Sequence, residues 1–558
     1  MEEDRRSAVA ARLVKLASLV PESFGTAAKI RDELKAAPGY LESPVRLAVA
    51  GQIKRGKSTL VNALLDRDIA ATGQLELTFN VTEFLGDAPE DLILYLGGAD
   101  GPGTHLPLDQ LRQLSANDPA NLELLRRIAR IVVVLDHPLL KQIVLIDTPG
   151  LGSVYGEDSA RAERILADDL DEETVAALRR LRRTEAEIAL LSQQEADRAD
   201  AVLYMFSRDP GLVDKAAVSR FLRHDVRADP TASIRAFGVL SRCDESWSRW
   251  AAEDVDVNPV DYDPIERVAR PRIGRYLASE PDIAQLFHTI VPVAGLVAAG
   301  AQMLTAEQFE WLGVLAAYRP ECWVDWFESA ANFMSPTMDD PPLPLAQRRQ
   351  LMRMLGPWGM LLACGYIRAR CTKREVVELM VDRSGITDVR ELVRGHFAHQ
   401  AYVVKLDEIL QTLARFLRQM DREDRLRGAD GAANIRKLED ALTDIRDQEP
   451  GFTEMEIRRD LFHGRLMLSN ADTARLSRLL GGAGQSCAQR LDVHEQEPAL
   501  PLLAARADTE VRYWRQWTGG GVANAETRSA VAALARTADD ILYRVRLAQS
   551  LLAWRARP

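Results

Sequence analysis

"AVAGQIKRGKSTLVNALLDRDIAATGQLELT", residues 48–78, runs from an apolar strand through a glycine turn and Gly-Lys-Ser into a helical pattern. Within it, Gly51-x4-Gly56-Lys57-Ser58 is the P-loop pattern. A strand before it and a helix after it are the context that this pattern requires. The glycines let successive backbone N–H groups turn toward phosphate oxygens, and the helix N-terminus adds its positive end. In such a loop Lys57 reaches the β- and γ-phosphates and the Ser58 hydroxyl binds Mg²⁺. Gly51, Arg55, Gly56, Lys57, Ser58 and Thr59 are therefore the candidate nucleotide contacts of this stretch.

Two further segments complete a nucleotide site on paper. "LIDTPG", residues 145–150, ends a strand at Asp147, where a carboxylate can hold the Mg²⁺ shell. The Gly150 N–H can bind the γ-phosphate, so loss of that phosphate would release the segment after it. Thr78, 20 residues beyond Ser58, is the candidate hydroxyl for completing the metal shell. Thr82 is its alternative, and a plain strand-initiating threonine is the bland reading. The base is read from "VLSRCD", residues 239–244. A carboxylate at Asp244 can accept both hydrogen bonds from the N1–H and 2-amino edge of guanine, an edge adenine lacks. Arg242 can lay its stem and charge over the base, and Val293 and Ala294, on the last strand, are further candidate base contacts. The expected substrate is GTP, with Mg²⁺.

Outward from these motifs the chain changes character. "VRLAVAG", "DLILYL", "ARIVVVLD", "QIVLIDTPG", "ADAVLYMFS", "IRAFGVLSRCD" and "FHTIVPVAG" are short apolar strands separated by helical patterns, the longest at 158–199. That alternation predicts a mainly parallel sheet covered on both faces. Residues 7–36 read as one or two helices. After residue 300 the strands stop, and from 400 the helices become regular. Val403, Leu406, Leu410, Leu413, Leu417 and Met420 form one stripe, and Ile435, Leu438, Leu442 and Ile445 another. A third runs Val531, Leu534, Ala538, Ile541, Val545, Ala548 and Leu552 behind an Asn524 cap. The fold class is thus multidomain, α/β plus all-α, with an elongated helical bundle at the C-terminal end.

The 558 residues carry a net charge of −11 and are 47% hydrophobic, which suits several soluble domains and argues against non-specific nucleic-acid binding. Five widely spaced cysteines without a C-x-x-C pair predict thiols in a reducing cytosol. The opening "MEEDRRSAVAARLVKL" lacks the order of a signal peptide, and no apolar run reaches membrane-spanning length. His396 and His399, three apart, read as surface imidazoles rather than a metal pair.

"GQIKRGKSTLVNALL", "ATGQLELT", "DTPGLGS", "ADAVLYMF" and "LSRCDE" together resemble bacterial dynamin-like GTPases, a group that includes the mycobacterial isoniazid-inducible dynamins. The resemblance covers roughly residues 45–300. It implies N-terminal helices at 1–44 packing on a neck, a dynamin-type GTPase domain at 45–300, a helical extension or neck at 301–400 and a helical-bundle stalk at 401–558. It also implies GTP hydrolysis coupled to stalk movement, with peripheral remodelling or tethering of an anionic membrane. The working states would be a G-domain homodimer or a pairing with a second dynamin-like protein, in the cytoplasm or at the inner face of the cell membrane. No nucleic-acid partner is expected. Two departures stand out. Leu151 occupies the position after Gly150 where Ras-like enzymes carry a water-orienting glutamine, and Ile53-Lys54 replaces the Gln-Ser of animal dynamins. Lys54 or Arg55 is therefore the candidate for transition-state charge, the alternative being that both are solvated loop cations. Three aromatic segments compete for lipid contact, 311–327, 354–367 and "YWRQWTGGG" at 513–521 with Trp514 and Trp517, each with core packing as its alternative. A reading from another class is a slow, nucleotide-regulated module that docks a protein partner without membrane activity.

Overall fold

The computed structural model describes residues 2–20, 25–52, 54–70, 80–96, 103–113, 119–148, 198–207, 210–222, 232–252, 259–338, 341–398, 400–427, 432–482, 484, 486–495, 498–518 and 523–555. Thr78, Gly150, Ile53, Leu151, His399 and nearly all of the expected helix at 158–199 lie outside the described residues. By contact density the chain forms two units, residues 46–392 and residues 1–45 with 393–558.

Helices α1 (Glu2–Leu16) and α2 (Thr26–Glu42) come first in the chain and belong to the second of these units. The other unit is built on nine strands: β1 (Val45–Gly51), β2 (Thr82–Gly86), β3 (Asp91–Leu96), β4 (Gly103–Leu106), β5 (Ile128–Leu135), β6 (Ile143–Asp147), β7 (Ala201–Phe206), β8 (Ala236–Leu240) and β9 (Ile290–Pro292). Their order across the sheet is β4-β3-β5-β2-β6-β1-β7-β8-β9. The β1–β7–β8–β9 half is parallel throughout. The other half is mixed, because β2 runs parallel to β5 and antiparallel to β6, and β3 is antiparallel to both β4 and β5. The parallel strands are apolar on both faces, as strands covered by helices must be. All seven sequence-read strands are present. Strand β2, not among the strands read from the sequence, begins at Thr82, which the sheet register places beside Asp147 of β6. Thr82 is thus the strand-initiating threonine of the bland reading.

Around this sheet lie α3 (Lys57–Leu65) and α4 (Leu212–Leu222), followed by a run of helices: α5 (Gly295–Gln302), α6 (Ala306–Ala316), α7 (Pro320–Phe327), α8 (Leu345–Arg368), α9 (Lys373–Arg383) and α10 (Ile386–Leu392). Thr305 starts α6 with a reciprocal cap, its hydroxyl accepting from Gln308 N at 3.1 Å while Gln308 Oε1 accepts from Thr305 N at 2.9 Å. Much of the span 301–400, expected as a helical extension or neck, shares one hydrophobic core with the sheet: Trp323, Trp326, Phe327, Trp358 and Cys364 are fully buried with Val202, Phe206 and Leu240. The aromatic segments at 311–327 and 354–367 therefore face a core, each buried tryptophan removing roughly 200 Å² from water. Helices α5 and α8 approach so closely that a Cβ on Gly300 would stand 2.1 Å from the Met354 carbonyl oxygen. Only glycine fits there.

The second unit is helical: α1, α2, α11 (Ala401–Arg427), α12 (Ala432–Gln448), α13 (Pro450–Phe462), α14 (Asn470–Leu479), α15 (Leu500–Gln516) and α16 (Ala525–Arg555). Every residue of the first two stripes is buried, as are Val531, Leu534, Ala538, Ile541 and Val545 of the third. The third stripe ends before Leu552, which is 57% exposed. Helix α2 packs along α11, where Lys405 Nζ donates to Tyr40 O at 3.0 Å and lies 4.1 Å from the centre of the Tyr40 ring. Asn524 caps α16 by accepting from Thr527 N at 2.9 Å. Trp514 is 1% exposed in the core between α15 and α16, whereas Trp517 is half-buried. His396 is buried instead of lying at the surface. Among the described residues no helix is long and apolar enough to cross a membrane.

Candidate functional site

Strand β1 delivers the chain to Gly51, whose φ of 142° only glycine adopts readily, and a Cβ there would sit 2.4 Å from the Met205 carbonyl oxygen on β7. The loop then turns through Lys54 (φ 60°) and Gly56 (φ 91°), and α3 starts at Lys57. Lys57 is buried and curls back over the loop, donating to Gly51 O at 3.3 Å and Gln52 O at 3.1 Å. Burial lowers its pKa to about 8, opposed by the nearby Asp147 charge and assisted by Arg55.

Asp147 closes β6 directly beside α3. Ser58 Oγ donates to its Oδ2 at 2.7 Å, while its Oδ1 is buried without a hydrogen-bond partner among the described residues. Burial pushes this carboxyl up to about 6, although the Ser58 hydrogen bond and Lys57 pull it down. A hydroxyl and a carboxylate oxygen with a vacant lone pair are hard oxygen ligands of the kind Mg²⁺ takes when phosphates supply the rest of its shell. The next residue, Thr148, is tied to β1 by its hydroxyl and its N–H, both bonded to Val49 O at 2.9 and 3.3 Å.

Asp244 follows β8 in the first turn of a 3₁₀ stretch, Cys243–Ala252. It is buried, and burial raises its pKa to about 6, with its own backbone N–H and Arg242 acting the other way. Arg242, in the left-handed region at φ 57°, donates to Lys54 O at 2.6 Å and to Glu245 at 3.1 Å. Its guanidinium thus ties the loop after β8 to the loop after β1. Val293 and Ala294 are fully buried. Their N–H groups are bonded to Leu240 O and Ser384 O, both at 2.8 Å.

Sequence reasoning missed the fastenings of this loop. Arg55 donates to Ser207, beyond β7, and to Gln52 Oε1 at 2.8 Å. Gln52 in turn donates to Asp214 at 3.3 Å, a buried carboxylate that also accepts from Tyr204 Oη at 2.9 Å and Gly211 N at 3.0 Å. At the other end of α3, Arg390 donates to Ala63 O and the Asp66 carboxylate, and Gln302 reaches Ala63 O at 3.4 Å. Asn62 Oδ1 accepts from Ile69 N and Ala70 N at 2.9 and 2.7 Å, fixing the turn after α3. Thr59 lies half-buried on α3.

A family model described as the dynamin family matches residues 47–241, from β1 to the end of β8. The isoniazid-induced protein IniC of Mycobacterium tuberculosis is 27% identical over 509 residues, spanning 89% of this chain and 90% of that protein. Residues 47–241 thus carry the dynamin-family match, and the chain as a whole is similar to IniC. Dynamin-like protein 2 of Campylobacter jejuni is 33% identical over 143 residues, 25% of this chain and 22% of its own. A solved structure described as an oligomerised bacterial dynamin pair that provides a mechanism for long-range sensing and tethering of membranes aligns with 98% of this chain and 76% of that one, at 11% identity and a TM-score of 0.31. The matched span holds the Ser58–Asp147 hydrogen bond, with the buried Lys57 close enough to feel the Asp147 charge. Asp244 lies three residues past its end.

Proposed function

We propose that this chain hydrolyses GTP to GDP and phosphate with Mg²⁺ and couples that cycle to movement of its helical regions and to peripheral membrane remodelling or tethering. The observation that carries the reading is the Ser58–Asp147 pair, with its unpartnered buried oxygen, set against a buried lysine at the mouth of a P-loop. In this reading Lys57 exchanges the Gly51 and Gln52 carbonyls for phosphate oxygens, and Ser58 Oγ and Asp147 Oδ1 hold the metal. Bound Mg²⁺ neutralises charge developing on the β- and γ-phosphate oxygens. Asp244 accepts from the guanine edge. Thr78 and Gly150 are proposed to act on the metal and the γ-phosphate, and Lys54 supplies positive charge in cis or across a dimer of G domains or with a second dynamin-like protein.

Phosphate release from GTP, measured with and without Mg²⁺ and over a range of protein concentrations, tests the proposal. Expected results are Mg²⁺ dependence, GTP favoured over ATP, turnover per molecule rising with concentration, and cosedimentation with anionic liposomes in a GTP-analogue state. Asp244→Asn should move base preference from guanine to xanthine nucleotides. Slow, concentration-independent turnover without liposome binding would instead mark a nucleotide switch that docks a protein.

A further inference from the structure

The Asp244 carboxylate has an uncommon neighbour. Helix α8 is broken at Gly356, whose φ of 66° and ψ of 175° lie in a region essentially reserved for glycine. Pro357 follows, and the residue before a proline is disfavoured from the helical basin, so the break is written into the dipeptide. A Cβ on Gly356 would stand 3.7 Å from Asp244 Oδ2 and 3.3 Å from Leu296 Cδ2. The second helical segment, residues 357–368, therefore begins beside the carboxylate, with proline at its first position where no N–H is needed. The break is also wedged: α5 presses on it through Leu296 and, two residues earlier on α8, through the contact of Gly300 with Met354. Trp247, in the 3₁₀ stretch that carries Asp244, shares a core with Leu355, Trp358 and Leu361 of α8.

A buried carboxylate resists ionisation, and a helix start is among the few neutral features that favour the anion. No side chain among the described residues donates a hydrogen bond to Asp244, whose partner is its own backbone N–H. The remaining acceptor capacity is what guanine's N1–H and 2-amino group would use.

We infer that the Gly356–Pro357 break in α8 is a specificity-determining wall of the base site, placing a helix start against Asp244 so that the carboxylate is held aimed at the guanine edge. This rests on the reading of Asp244 as the guanine acceptor. Gly356 and Pro357 are positioning residues, and the helical run after residue 300 enters base recognition through them.

The test compares binding of GDP, IDP and ADP to the full chain and to its Gly356→Ala and Pro357→Ala variants, with thermal unfolding midpoints recorded alongside. IDP lacks the 2-amino group, so it loses one of the two bonds to Asp244. In each variant GDP affinity should fall about tenfold and IDP affinity by a smaller factor, so that the GDP-to-IDP ratio shrinks toward one. A merely structural defect lowers both by the same factor, and that result, or an unchanged ratio, overturns the inference. Pro357→Ala adds no atom at the tight site and decides the matter where Gly356→Ala does not fold. If the unmodified chain itself binds IDP or ADP as tightly as GDP, the guanine reading of Asp244 fails, which is a separate outcome.

Discussion

Asp147→Asn is expected to stabilise the nucleotide-free protein near neutral pH while abolishing its Mg²⁺-dependent nucleotide binding. Burial lifts the Asp147 pKa from 3.8 to about 6, so ionising it in the fold costs about 3 kcal/mol more than in the unfolded chain. A group whose folded pKa is raised binds more protons in the native state. Its stabilising effect is complete below about pH 4 and is lost as pH rises through about 6. Asparagine keeps an acceptor for Ser58 Oγ and removes the titration. Part of the gain is offset, because Asp147 also supports the buried Lys57 ammonium, which leaves a net of about 2 kcal/mol at pH 7. Urea unfolding followed by tryptophan fluorescence reports on this core through Trp323, Trp326 and Trp358. The difference between variant and unmodified chain should grow by about 2 kcal/mol between pH 4 and pH 7. A difference that does not change with pH, or a variant less stable at pH 7, would refute the reading of Asp147 as a buried carboxylate whose ionisation the fold opposes.

Lys54 is exposed in the left-handed region, so Lys54→Asn, which tolerates that backbone, is the clean probe of its charge. Single-turnover hydrolysis should fall at least about tenfold with GDP affinity nearly unchanged, and an unaltered rate removes Lys54 from the chemistry. Gly51→Ala must push its Cβ off the Met205 carbonyl; a loss of roughly 2–4 kcal/mol or of all nucleotide binding is expected, read by thermal shift with and without Mg-GDP. Trp514→Ala should cost the helical unit about 3–5 kcal/mol in chemical unfolding, because its indole is 1% exposed. A cost below about 1 kcal/mol would contradict the core placement.

What the sequence made legible is what it encodes locally. The P-loop, Asp147 and Asp244 each sit at the end of an apolar strand, so their neighbours follow from the order of strands in a parallel sheet. Strand β2 escaped notice because Thr82–Gly86 contains Glu83, a buried acid that Arg46 and Arg130 neutralise from β1 and β5; that pairing is invisible before the strands are laid side by side. Strand β4, with its exposed Thr104 and His105, is an edge strand without alternation. Asp214 and Arg390 reach the phosphate loop and the far end of α3, respectively, only across long stretches of chain. "MLGPWGMLLACGYI" reads as one apolar helix, and the Gly-Pro that breaks it acquires meaning only when Asp244 is found beside it.

Lys57, Asp147 and Asp244 share one property: burial disfavours the charged form of each. Ser207 and Arg242 fasten the loop through Arg55 and the Lys54 carbonyl. In the proposed site phosphate would favour the Lys57 ammonium, the metal the Asp147 carboxylate, and the guanine edge the Asp244 carboxylate. Binding must therefore move protons in a direction that changes with pH. Near pH 6 the two carboxyls are about half protonated beforehand, and Mg-GDP should expel about one proton in total. Near pH 8 Lys57 is about half deprotonated and should take up about half a proton. Titration calorimetry of Mg-GDP binding in buffers of different ionisation enthalpy reads these numbers directly, and the net transfer should change sign between pH 6 and pH 8. A net transfer of zero at both ends would show that the three groups are not the ones the nucleotide touches. Uptake at pH 6 would show that a group outside this set titrates on binding.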